Sequence, residues 1–199
     1  MKYVLGLTGP TGAGKSTLCK AAQDMGFLVV DCDLLARKAV EQSDCLEALE
    51  RAFSKDILDN DGRLDRKALA KKAFANSEKT ELLNKTILPF IVKLIEKEII
   101  LSKESKIILD APTLFESGVD SLCDAVCAVL SDKGKRILRI IARDNITQDE
   151  ALLRISAGKT DEYYTSKTEN IIYNDGNTED FIEEFKNLLI SLTGGKLNG

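Results

Sequence analysis

The chain has 199 residues, 44% of them hydrophobic and 30% charged, with a net charge of −4 and no histidine. That length supports a substantial core in one compact, soluble domain or a domain with insertions. The acidic balance argues against a nucleic-acid partner, and no apolar run approaches membrane-spanning length. The absence of histidine excludes Ser-His-Asp and Cys-His nucleophile systems, so any proton acceptor is a carboxylate or the substrate itself.

The first stretch, Tyr3 to Leu7, is apolar apart from one glycine and suits a buried strand. Gly9 to Gly14 holds three glycines and a proline in six positions, which rules out regular structure. From Lys15 a helix follows, with Leu18, Ala21, Ala22 and Met25 at helical spacing. Strand, glycine loop and helix form the context in which G-x-x-x-x-G-K-[ST] binds phosphate. Glycines let the backbone take positive φ, and the loop N–H groups converge at the positive end of a helix. Gly12, Ala13 and Gly14 supply that nest. Lys15 adds charge for the β- and γ-phosphates, the Ser16 hydroxyl can hold Mg²⁺, and Thr17 is placed for the α-phosphate.

Gly26 ends this helix, and Phe27 to Val30 forms a second strand running into Asp31-Cys32-Asp33. A helix starting at Asp33 gives that residue two readings, helix cap and ligand-facing acid at the carboxyl end of a strand. The second is preferred, and Arg37 shares its face one turn on. Residues 41 to 105 carry no convincing strand. Helices are expected over 45–53, 65–74, 77–85 and 90–102, with a turn at Asp59-Asn60-Asp61-Gly62 and with Pro89 starting or bending the last helix. So long a block between strands reads as a helical insertion that builds an acceptor wall.

Lys106 to Asp110 is a short apolar strand ending in an acid, as in a Walker B strand, and Asp110 can support Mg²⁺ through water. Pro112-Thr113-Leu114-Phe115-Glu116 leaves that strand end with bulky residues. A fourth strand is expected over 124–130, then a basic helix with Arg136, Arg139 and Arg143 on one face. A further helix over 147–157 carries Arg154, and 158–168 is polar and expected to be flexible, so 134–168 reads as a hinged lid. Glu169 to Tyr173 gives a fifth strand. The turn Asn174-Asp175-Gly176 lies where an adenine base can rest, a helix over 178–192 closes the sheet, and 194–199 should fray. Strands alternating with helices predict a parallel sheet covered on both faces.

Five scattered cysteines form no C-x-x-C pair and no zinc set, and are expected in the core. The N-terminus enters a strand rather than a signal peptide, so reduced thiols and a cytoplasmic location are expected.

Several segments together resemble the dephospho-coenzyme A kinases. Thr8-Gly9, then Gly12 to Thr17, looks like the family's opening. Asp31-Cys32-Asp33 with Ala36-Arg37 is similar to its Asp-x-Asp-x-x-Ala-Arg signature, and Pro112 to Glu116 to its Pro-Leu-Leu-Phe-Glu segment. Arg139 with Arg143-Asp144, Arg154-Ile155, and Asn174-Asp175-Gly176 match its carboxyl half in order and spacing. Two positions depart: Leu88-Pro89 stands where the family usually has His-Pro, and Gly158 where it usually has Gln. The departures bear on the hold on the acceptor and on the lid, and activity is expected to survive them.

The resemblance implies a P-loop NTPase-type α/β fold with a five-stranded parallel sheet, a helical acceptor-binding insertion and a helical lid. The nucleotide core would span 1–33, 104–133 and 169–199, the coenzyme A domain 34–103, and the lid 134–168. It implies transfer of phosphate from ATP, with Mg²⁺, to the ribose 3′-hydroxyl of dephospho-coenzyme A as the small-molecule partner; no nucleic-acid or membrane partner is expected, and a monomer is compatible with the sequence, which leaves the oligomeric state open. Asp33 would orient that hydroxyl and take its proton. Lys15 and Mg²⁺ would hold the γ-phosphate, and Arg139 and Arg143 would close over the phosphates. ATP would lie on residues 12–17 and Asn174. The acceptor would lie on Thr8, Asp33, Arg37, Leu114, Phe115 and Glu116. The rivals are a shikimate- or gluconate-type kinase, against which the 41–105 insertion speaks, and a nucleotide-binding regulatory protein without catalysis.

Overall fold

A computed structural model describes residues 2–194, so the expected frayed end lies outside the described residues from 195 onward. Chain contacts divide the molecule into two units, Met1–Val30 with Ser102–Gly199, and Asp31–Leu101.

The first unit is built on a five-stranded parallel sheet. Its strands are β1 (Tyr3–Thr8), β2 (Leu28–Asp31), β3 (Lys106–Asp110), β4 (Ala125–Leu130) and β5 (Asn170–Tyr173), in the order β2-β3-β1-β4-β5. The central strand β1 pairs in parallel with β3 (Leu7 opposite Asp110) and with β4 (Thr8 opposite Ala128). The carboxyl ends of β1, β3 and β4 therefore open on one edge, where open α/β sheets place their ligands. Helices α1 (Lys15–Asp24) and α9 (Thr178–Leu192) pack together, and the sheet core gathers Leu5, Leu7, Leu18, Ile108, Val129, Phe181 and Phe185. β1 is buried on both faces, which is why it reads as an unbroken apolar run rather than an alternating one.

The second unit is helical: α2 (Cys32–Ala39), α3 (Ser43–Phe53), α4 (Arg66–Ala73) and α5 (Ser77–Leu101). It has its own core of Cys45, Leu49, Phe53, Ile57, Leu69 and Ala73. The Asp59–Gly62 turn forms as expected, with Asp59 Oδ1 accepting from the amides of Asp61 (3.0 Å) and Arg63 (2.8 Å).

Three local expectations are corrected. The helices expected over 77–85 and 90–102 are one continuous helix, α5, running through Pro89. A proline inside a helix removes one N–H and crowds the carbonyl four residues back, at about 3 kcal/mol. Packing of α5 on α2, α3 and α4 outweighs that local cost. The N-cap of α2 is Asp31, whose Oδ1 accepts from Leu34 N at 2.8 Å, so Asp33 stands inside the first turn instead of capping it. The segment expected to be flexible contains α8 (Asp161–Thr165), which buries Tyr164 against Ala128 and Leu130 of β4. Before it come α6 (Lys133–Asp144) and α7 (Gln148–Ser156), the latter opened by a capping box between Thr147 and Glu150.

All five cysteines are free thiols, and Cys19, Cys32, Cys45 and Cys127 are buried. Burial pushes the Cys127 and Cys123 thiols up to about 12 and Cys45 to about 11, away from the thiolate form; Cys45 and Cys127 lie in the core and Cys123 is partly buried.

Candidate active site

The loop after β1 takes the conformation its spelling requires. Gly9, Gly12 and Gly14 have φ of 135°, 78° and 114°. A Cβ at Gly9 would stand 2.2 Å from the Val129 carbonyl oxygen, and one at Gly14 2.2 Å from Asn174 Nδ2. Side chains are thus excluded by both backbone angle and space. Gly9→Ala is expected to destabilise the fold by about 4 kcal/mol, through the left-handed angle and a backbone clash that cannot relax cheaply. Thermal unfolding should show a fall on the order of 10 °C. A shift of less than about 2 °C would show that the loop relaxes freely.

Gly14 caps α1 with no side-chain bond, and the helix has no acidic residue in its first turn. Its N-terminal amides and positive dipole end are therefore not neutralised by a local carboxylate, which suits an anion. Lys15 Nζ donates to the Gly9 carbonyl (2.6 Å) and, more weakly, to Pro10 (3.4 Å). Ser16 is exposed, Thr17 half-buried, and Ala13 fully buried.

Every carbonyl of the loop accepts a hydrogen bond. Lys15 takes those of Gly9 and Pro10, and Thr17 N takes Gly14 (3.0 Å). Arg136 Nε donates to Thr11 (3.0 Å), Arg139 to Gly12 (3.3 Å), and Asn174 Nδ2 to Ala13 (2.8 Å). Asn174 was expected beneath an adenine base. The structure places its amide in the buried ground beside Gly14, spent on the Ala13 carbonyl.

The arginines of α6 differ from one another. Arg139 is tied to Gly12, to Ser131 Oγ (2.9 Å) and to the Asn174 carbonyl (2.8 Å). Arg143 is exposed and bidentate on Asp144 (2.7 and 2.9 Å), which Arg154 also meets. The hydrogen bond from Arg143 and then the neighbouring charges hold the Asp144 carboxyl below the usual carboxylate range. Arg136 is only 5% exposed. The sequence sets it on one face with Arg139 and Arg143 in the expected lid, and no local signal marks its burial.

On the β3 side, Asp110 is half-buried beside Leu7 in the sheet register. Two residues expected on the acceptor are fully buried. Thr8 and Leu114 are 0% exposed. Thr8 Oγ1 donates to the Pro112 carbonyl (3.3 Å), and Leu114 fills the space that the missing side chain of Gly6 leaves. Both side chains are taken up by packing within the sheet unit. Leu114→Ala should cost about 2–5 kcal/mol of stability through the cavity it opens. The acceptor KM should stay within about twofold of the parent, and a KM change without a stability loss would restore Leu114 to the binding surface.

Phe115 and Glu116 are half-buried, and Phe115 packs in a cluster with Tyr163 and Tyr164 of α8. The Phe115 and Tyr163 rings meet edge-on at 6.2 Å, and Lys167 lies 5.3 Å and 5.2 Å from their centroids. Burial and the nearby Glu116 carboxylate push the Tyr163 phenol up. In the helical unit, Asp33 and Arg37 are exposed on one face of α2.

A family profile described as dephospho-CoA kinase matches residues 3–180. A curated dephospho-CoA kinase from Fusobacterium nucleatum is 37% identical over 91% of this chain and 94% of its own, and one from Bacillus licheniformis is 34% identical over 95% and 96%. Among solved structures, dephospho-CoA kinase from Campylobacter jejuni superposes with a TM-score of 0.68 at 30% identity, covering 98% of this chain and 99% of that one. Shikimate kinase from Acinetobacter baumannii, at 12% identity and TM-score 0.53 over 100% and 97%, shares the fold alone.

Proposed function

The chain belongs to the dephospho-CoA kinase family, and from that premise we propose how its own residues carry the ATP-dependent phosphorylation of dephospho-CoA in coenzyme A biosynthesis. The observation that carries the proposal is the loop after β1, with its three left-handed glycines, its engaged carbonyls and the uncapped start of α1. Residues 12–17 bind the ATP phosphates, with Lys15 on the β- and γ-phosphates and Thr17 on the α-phosphate.

Mg²⁺ requires hard oxygen donors and keeps much of its shell in phosphate oxygens and water. The Ser16 hydroxyl, which is exposed, and the Asp110 carboxylate at the end of β3 are donors of that kind and would hold it. When bound, the ion neutralises phosphate charge. Asp33 orients the ribose 3′-hydroxyl and accepts its proton, and Arg37 holds the acceptor beside it. Residues 34–103 receive the coenzyme A moiety. Segment 134–168 serves as the lid, with Arg143 and Arg154 available to the phosphates once they exchange Asp144 for a stronger anion.

No described helix is long and apolar enough to cross a membrane. Five free thiols suit a reducing compartment, and a cytoplasmic location is part of this reading.

The test is ADP release with ATP, Mg²⁺ and dephospho-CoA, with mass spectrometry of the acceptor. A gain of one phosphate on the 3′-hydroxyl is expected. No product from a protein that still binds ATP would move the acceptor assignment elsewhere, and failure with every acceptor would favour a regulatory role.

A further inference from the structure

Three successive carbonyls at the tip of the phosphate loop are held from outside the loop by side chains far away in sequence. Arg136 holds Thr11, Arg139 holds Gly12 and Asn174 holds Ala13. In a planar trans peptide the C=O and the following N–H point in opposite directions. Fixing the Thr11 oxygen on Arg136 therefore turns the Gly12 N–H to the other side of the loop, and fixing Ala13 on Asn174 does the same for the Gly14 N–H. We infer that Arg136 and Asn174 are positioning residues that hold these two peptides with their N–H groups toward the nucleotide phosphates. They act behind the loop, without touching the nucleotide.

Two further observations favour a functional setting over a merely structural one. Arg136 is a poor stabiliser of the fold. It is 5% exposed, its Nη2 has no hydrogen-bond partner among the described residues, and the half-exposed Asp161 carboxylate it pairs with is 3.8 Å away. Burial pushes its guanidinium below the ordinary arginine range, with Asp161 and Tyr164 opposing. A buried charge so incompletely paired is commonly no better for stability than an apolar side chain of similar volume. The second observation is the fit at Gly14. Asn174 Nδ2 lies 2.2 Å from where a Gly14 Cβ would stand, so the amide reaches Ala13 only across a glycine. Without these donors, a loop carbonyl is the wrong sign of dipole for an anion and its peptide is able to turn toward the phosphates.

The inference rests on the loop being the phosphate site, and the experiment separates the two. ADP and AMP binding are measured by calorimetry on the whole chain for the parent, Arg136→Met, Asn174→Asp and Lys15→Ala. Asn174→Asp is nearly isosteric and sets an oxygen against the Ala13 carbonyl. Lost amide-to-phosphate bonds are hydrogen bonds to a charged group, so ADP should bind about 10- to 100-fold more weakly in both variants. AMP, which lacks the β-phosphate, should change by less than about threefold. Arg136→Met should also melt within a few degrees of the parent, which a structural role for the guanidinium would not allow. Arg136→Lys, which keeps a donor, should recover part of the loss. Should Arg136→Met fail to fold, the structural role is restored to it and Asn174→Asp decides the clamp. ADP affinity within about twofold of the parent in Asn174→Asp, or equal losses for ADP and AMP, overturns the inference. If Lys15→Ala binds ADP as the parent does, the phosphate-loop reading fails and the inference fails with it.

Discussion

Asp33→Asn should bind ATP as the parent does and turn over about 10²–10⁴ times more slowly, the range for losing a positioned general base. The equivalent barrier is about 3–5 kcal/mol. No histidine exists to substitute for it, so the proton goes to a carboxylate or stays with the substrate's own oxygens, and the size of the loss tells the two apart. Two aspartates flank Cys32, and the structure places them differently. Asp31 accepts the Leu34 amide and caps α2, whereas Asp33 is exposed one turn before Arg37. That division supplies the control. Asn caps a helix about as well as Asp, so Asp31→Asn should keep both its fold and its turnover within a few-fold. Stopped-flow nucleotide binding and steady-state kcat on the two variants settle the matter. Similar losses in both would mean that the pair acts as a structural unit, and near-parental kcat in Asp33→Asn would remove it from the chemistry.

Much of this arrangement is legible in the sequence where the signal is local. The strand 106–110 and the helix 178–192 fall where they are expected, because an apolar run ending in an acid and a capped amphipathic run each determine their own limits. Local signals fail where distant packing decides. Pro89 marks a helix boundary in isolation, yet α5 continues because the helices around it bury Ile91 and Ile95. The polar run after Gly158 gives no hint that Tyr164 has a seat on β4. Leu114 and Thr8 lie in motifs that the family resemblance sets on the acceptor, and spacing along the chain gives no sign that both side chains are fully buried. The carbonyl partners of the loop are the extreme case. Arg136 and Asn174 lie 125 and 161 residues from the peptides they hold, and no spacing rule joins them. The general lesson from this loop is that motif residues announce the groups that meet a ligand, while the groups that orient those residues carry no pattern of their own.

Lys15→Ala should lower kcat/KM for ATP by about 10²–10³, as removal of one preorganised donor to developing charge does elsewhere. The ammonium donates to the neutral carbonyls of Gly9 and Pro10, and an anionic phosphate oxygen is the stronger acceptor. Transfer from carbonyl to phosphate then places a charge where the leaving and transferring groups gain charge. Stability should fall by no more than about 1–2 kcal/mol, since the Pro10 carbonyl keeps the Ala13 amide and the main loss is the Lys15 donor to the Gly9 carbonyl, at a buried residue. Lys15→Arg should not restore activity, because a planar fork does not take the place of a compact ammonium among close backbone atoms. The measurement is kcat/KM together with thermal unfolding on the same preparations. A large kinetic loss with a small stability loss assigns Lys15 to the transition state. Parallel losses would make it a strut for the loop, and rescue by arginine would reduce its part to unspecific charge.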